Sequence, residues 1–150
     1  MGHSYVSSLY HCVFSTKERR RTIAPAIQEP LWKYLGGIAR QHDMKVLIAG
    51  GVEDHVHLLL SLNSTTSIAK AIQLLKGGSS KWVHDKCSDR RGFEWQEGYG
   101  AFSIGVSQVE GTIAYIRDQS EHHQMKTFEE EFVAFLERHG VEYDPRYVWG

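Results

Sequence analysis

Apolar and polar positions along the chain switch between a period of two and a period near 3.6, and the switches mark out the elements. Residues 4–15 are rich in β-branched and aromatic side chains (Tyr5, Val6, Tyr10, Val13, Phe14), which predicts a first strand. A basic loop follows. From Pro25, Ile27, Leu31, Tyr34, Leu35 and Ile38 recur at helical spacing up to about Gln41. Met44 to Val52 predicts a second strand, Glu53-Asp54 a tight connection, and His55 to Leu62 a third strand. Asn63-Ser64-Thr65-Thr66-Ser67 is a run of capping residues that opens a helix with Ile68, Ile72, Leu75 and Trp82 on one side. Gly77-Gly78 inside it predicts a kink or a close contact.

Residues 88–98 form a polar, glycine-containing loop, and Tyr99 to Val106 a fourth strand. Ser107-Gln108-Val109-Glu110 has capping-box spacing and starts a helix to about His122. A last helix runs from Thr127 to His139, with Gly140 as its cap. The order is β-α-β-β-α-β followed by two helices. It predicts an α+β, ferredoxin-like fold: an antiparallel four-stranded sheet with helices packed on one face, plus C-terminal helices, in a single domain over residues 1–150.

Composition narrows the setting. With 41% hydrophobic and 23% charged residues the chain can bury a core and lacks the signature of disorder. No apolar run is long enough for a membrane span, and the first residues do not read as a secretory signal. Cys12 and Cys87 are far apart and in no CxxC arrangement, which suits a reduced, cytoplasmic protein. A formal net charge of -1 argues mildly against nonspecific nucleic-acid binding. Charge is nevertheless local: Lys17-Glu18-Arg19-Arg20-Arg21 is a basic run, Lys70, Lys76 and Lys81 recur along one helix, and acid gathers at Glu129-Glu130-Glu131.

Two constellations carry chemistry. In His55-Val56-His57 the two imidazoles point to the same face of a strand, a common start for a transition-metal site. Surface histidines on a polar face are the plainer explanation, but Leu58, Leu59 and Leu60 make the strand a buried one, and buried histidines need partners. Tyr115 and Gln119 stand four apart on the helix after Ser107, on the flank of the apolar face set by Val109, Ile113 and Ile116. Alone, such a pair is ordinary covering of a core edge. His122-His123 is not a metal pair, because adjacent helical residues diverge. Trp82 fits the core better than a role in stacking on bases, whereas Trp95 and Tyr99 are candidates for it. His11 is a candidate partner behind the metal site.

Together the two constellations resemble the HUH single-tyrosine transposases of small insertion sequences and their relatives associated with repetitive palindromes. The resemblance rests on Tyr10 to Lys17, Asp54 to Leu60, Lys76 to Ser80, Tyr115 to Gln119, and the tail from Phe128 to Asp144. It implies that His55, His57 and Gln119 hold a divalent metal, Mg2+ or Mn2+, and that Tyr115 is the nucleophile toward a DNA phosphodiester. It also implies a homodimer acting on single-stranded DNA with a stem-loop, often with the tyrosine helix of one subunit serving the histidines of the other. Lys17, Arg19, Arg20, Arg21, Lys76 and Lys81 are candidate DNA-binding residues. Two other functions remain compatible with these residues: a noncatalytic DNA-binding regulator that keeps the fold, and a metal-dependent nuclease with water as nucleophile.

Overall fold

The structure is a computed structural model that describes residues 3–87, 92–122, 126–146 and 148, without the side chains of Glu121 and His122. The His122 side chain, His123 and the first part of the 88–98 loop therefore lie outside what is described. Four strands, β1 (Leu9–Ser15), β2 (Lys45–Val52), β3 (His55–Ser61) and β4 (Gly100–Ile104), form one antiparallel sheet in the order β2-β3-β1-β4. Helix α1 (Pro25–Gln41) carries the chain from β1 to β2, two strands that run the same way with a gap between them. The tight turn at Glu53-Asp54 then folds β3 back into that gap. Helix α2 (Ile68–Lys86) crosses over to β4 on the free side of β1. This is the ferredoxin-like plan.

The period of two divides the sheet. Cys12 and Phe14 of β1, with Val56, Leu58 and Leu60 of β3, face α1 and α2 and pack with Leu35, Ile38, Ile72 and Leu75. His11, Val13, His55 and His57 face the other way. That second face is covered by α3 (Val109–Arg117), α4 (Gln119–His122) and α5 (Phe128–Arg138), whose Phe128, Phe135 and Leu136 pack with Val13 and Phe102. Both faces of the central strands are thus buried, which accounts for the unbroken Leu58-Leu59-Leu60 run. Cys12 and Cys87 are free thiols, and burial pushes the Cys12 thiol up to about 12. No helix among the described residues is long and apolar enough to cross a membrane.

Four details depart from the sequence pattern. β1 begins at Leu9 rather than Ser4, because Leu9 pairs with Ser61 and Ile104, where both neighbouring strands end. Tyr5 and Val6, left without a partner strand, are exposed. β4 spans Gly100–Ile104 only. Ser107 does not cap a helix: Val106–Gln108 form a 3-10 turn, and Gln108 Oε1 instead accepts from the Gly105 N–H at 2.8 Å. The helix then breaks at Asp118, separating α3 from α4. Of the two expectations for Gly77-Gly78, the close contact is found and the kink is not. α2 runs through unbroken, and a Cβ on Gly78 would lie 2.7 Å from Ile38 Cδ1 of α1.

Candidate functional site

His55 and His57 are fully buried on β3, and each ring is held from behind. His55 Nδ1 lies 2.7 Å from Asp54 Oδ1 and His57 Nδ1 lies 2.8 Å from His11 Nε2. A carboxylate only accepts, so His55 carries a proton on Nδ1 toward Asp54. His11 is kept neutral, its pKa held down to about 3, first by burial and then by His57 beside it. By the same rule His57 carries a proton on Nε2, toward the Glu131 carboxylate, and its Nδ1 accepts from the His11 Nε2–H.

The Nε2 atoms of His55 and His57 face oxygen. Gln119 Oε1 is 3.3 Å from His55 Nε2, while Glu131 Oε1 is 2.9 Å from His57 Nε2 and 3.6 Å from His55 Nε2. The amide orientation is set by Gln119 Nε2, which donates to the Tyr115 carbonyl at 3.3 Å and to Glu131 Oε2 at 3.4 Å. Amide and carboxylate oxygens thus converge on the two imidazole Nε2 atoms, a setting that favours positive charge. Ligand atoms of His55, His57 and Glu131 lie within 4.8 Å of one another, so these side chains could hold a divalent cation. Imidazole, amide and carboxylate together suit Mn2+ or a similar ion better than Mg2+, which prefers oxygen.

Tyr115 arrives on α3. That helix lies directly on β2, where a Cβ on Gly50 would meet the Ile116 carbonyl oxygen at 2.5 Å, so only glycine admits the approach. Gly50 is the cross-strand partner of His57, which places the helix over the histidines. The Tyr115 hydroxyl donates to Glu131 Oε2. Its ring stands edge-on to His57 at 5.8 Å and to Phe135 at 5.7 Å. Burial, then the hydrogen bond to Glu131, pushes its pKa above the usual phenol value. Beside the hydroxyl a small cavity of about 50 Å³ is lined by Tyr115, Lys126, Glu131, Phe135 and Arg138, with two cationic residues among them.

The basic run lies differently. Each of its cations meets an acid: Lys17 with Glu94 at 3.0 Å, Arg19 with Glu129 at 2.5 Å, Arg20 with Glu18 at 3.0 Å and Arg21 with Glu53 at 3.2 Å. Lys76 Nζ donates to the Gln96 and Gly98 carbonyls at 2.8 and 2.5 Å, and burial lowers its pKa to about 8. Lys81 is exposed on α2. Trp82 stacks on Tyr34, and Trp95 is wedged between Phe14 and Phe93 with its indole N–H on Ser79 Oγ. Neither indole belongs to the histidine cluster.

Glu131 is the residue that sequence reasoning missed, as one acid in a run of three. The signal was its phase: it falls three after Phe128 and four before Phe135, inside the apolar stripe of α5. A carboxylate on a buried helix face has to have partners.

A ferredoxin-like sheet with a His-x-His pair on one face, and a tyrosine held against it by a C-terminal helix, has the build of an HUH tyrosine protein. The family described as "Transposase IS200 like" matches residues 4–119, and the chain belongs to that family. Among similar proteins, the ISDra2 transposase TnpA of Deinococcus radiodurans is 33% identical over 81 residues, 53% of this chain. The match covers 58% of that relative's length. The transposase for insertion sequence element IS200 of Salmonella typhimurium is 25% identical over 130 residues, 83% of this chain and 85% of the relative. Of solved structures, a putative transposase from Deinococcus radiodurans superposes with a TM-score of 0.64 at 24% identity, covering 79% of this chain and 96% of that one. A REP-associated tyrosine transposase bound to a REP hairpin superposes with a TM-score of 0.60 at 12% identity, covering 82% and 73%.

Proposed function

We propose that the chain is a metal-dependent transposase that cleaves and rejoins single-stranded DNA at hairpin-marked ends through a 5′-phosphotyrosine intermediate, with Tyr115 as nucleophile and His55, His57 and Gln119 as metal ligands. The observation that carries the reading is the convergence of all four residues within one chain, with His55, His57 and Gln119 buried and Tyr115 half-buried beside them. The hairpin named with one structural neighbour supports the substrate class. A divalent ion, Mg2+ or Mn2+, neutralises charge on the scissile phosphate when bound there.

Tyr115 oxygen bonds to phosphorus as the bond from phosphorus to the 3′ oxygen breaks; the phenol gives up a proton and the 3′ oxygen gains one. The phosphotyrosine keeps the phosphodiester's free energy, so a 3′ hydroxyl can reverse the step without ATP. Asp54 and His11 hold the two imidazoles in register from behind. Lys126 and Arg138 stand beside the Tyr115 hydroxyl, where DNA phosphate has to enter. Lys17, Arg19, Arg20, Arg21, Lys76 and Lys81 contribute to the DNA path, those of the basic run by exchanging their carboxylate partners for phosphate. A homodimer in the cytoplasm, with no membrane partner, completes the reading.

The test is covalent capture. Protein, Mn2+ or Mg2+ and a labelled pool of single-stranded stem-loop oligonucleotides yield a denaturation-resistant adduct that requires metal and is absent with Tyr115→Phe. Cleavage that survives Tyr115→Phe without an adduct assigns the reaction to water as nucleophile. Binding without cleavage assigns the chain to noncatalytic regulation.

A further inference from the structure

We propose that Glu131 serves the site twice: one carboxylate oxygen is a ligand of the divalent cation held by His55 and His57, and the other holds the Tyr115 hydroxyl in place. This rests on the metal-dependent reading above and deepens it. Glu131 lies on α5, beyond the residues 4–119 that the family match covers, so that match gives it no role.

The two oxygens point to different tasks. Oε1 is 2.9 Å from His57 Nε2 and 3.6 Å from His55 Nε2, on the side where the two imidazole Nε2 atoms converge. Oε2 accepts from the Tyr115 hydroxyl and from Gln119 Nε2 at 3.4 Å. The side chain is 3% exposed, and α5 is fixed over it by Phe128 and Phe135 in the apolar cluster under the sheet. Two neutral imidazoles and an amide would leave a buried divalent ion with its full charge. One carboxylate halves that charge and leaves enough to attract a phosphodiester. Because a single planar group carries both contacts, the cation and the nucleophile are set at a fixed separation by one residue of the C-terminal helix. That makes Glu131 a metal ligand and a positioning residue for Tyr115.

Mn2+ binding is measured by calorimetry, without DNA, on the wild-type chain, Glu131→Gln, Glu131→Ala and His57→Ala, each checked for folding by circular dichroism. Glu131→Gln is expected to weaken Mn2+ at least about tenfold. The Mn2+ concentration for half-maximal adduct formation rises by a similar factor. At saturating Mn2+ the Gln variant recovers adduct formation, since an amide oxygen still accepts from the phenol, and the Ala variant does not. Mn2+ affinity of Glu131→Gln within twofold of wild type, with binding lost in His57→Ala, overturns this assignment and leaves the metal-dependent reading intact. No Mn2+ binding by the wild-type chain overturns both. Should the Glu131 variants not fold, infrared difference spectra of the wild-type chain decide: a Mn2+-induced shift of a carboxylate band supports the assignment, and imidazole bands alone overturn it.

Discussion

His55 and His57 form a usable pair because neither ring is free to turn. Asp54 holds one from the adjacent position in sequence, and His11 holds the other from the neighbouring strand. His11→Phe keeps the ring packing against Phe135 and removes the hydrogen-bond partner behind His57. Mn2+ affinity measured by equilibrium dialysis is expected to fall roughly tenfold or more, as for other partners of ligating histidines. An unchanged affinity in a folded variant would show that His57 needs no such support. Lys76 gives a pH signature. Burial lowers its pKa to about 8 from 10.5, with Glu97 opposing the shift. Between those values the unfolded chain holds a proton that the folded chain has released, so this residue's contribution to stability rises with pH across that window. Urea unfolding at pH 7.5 and 10 should therefore show the wild type gaining on Lys76→Met as pH rises.

At the scale of elements, the approach of α3 to β2 decides whether Tyr115 reaches the histidines. Gly50→Ala would drive a methyl group into the Ile116 carbonyl, a backbone atom that cannot swing aside. Overpacking of this kind costs about 1–3 kcal/mol, and the displaced helix carries Tyr115 with it. Adduct formation should drop well beyond what the loss of folded protein explains, as judged from thermal unfolding of the same sample. Gly77→Ala is the counterpart. That position has open space, and removing a glycine from a helix interior should stabilise the chain by about 1 kcal/mol with adduct formation unchanged. The break at Asp118 belongs to this scale too. Gln119 keeps its place next to Tyr115 through a hydrogen bond to the Tyr115 carbonyl rather than through continuous helix.

On the scale of the molecule, both faces of the sheet are covered, and among the described residues the candidate site lies on one of them. The face toward α1 and α2 is apolar throughout its cluster, whereas the face toward α3 and α5 has His11, His55, His57, Gln119 and Glu131 buried beside phenylalanines. Tyr115 meets the histidines of its own chain. Mixing Tyr115→Phe with His57→Ala, each inactive alone, is therefore expected to restore no adduct. Restoration on mixing would show that the tyrosine helix exchanges between subunits.

What the sequence determined by itself was whatever depends on near neighbours in the chain. Residue type and patterning marked four strands, and period two set His55 beside His57; the run of capping residues at 63–67 marked the start of α2, which Ser67 caps in the structure. The helical spacing of Tyr115 and Gln119 put them side by side, and the resemblance of those motifs named the family. Only the tertiary structure decided what depends on distant segments meeting. β1 starts only at Leu9 because β3 and β4 end opposite it, and Gln108 rather than Ser107 closes the turn before α3. The cations of the basic run are paired with acids from Glu18, Glu53, Glu94 and Glu129, which no charge count reveals. Glu131 reaches His57 across a sequence separation of 74 residues. Its neighbours in the chain show an acid on an apolar stripe, but the partners that make its burial tolerable arrive only when α5 closes on the sheet.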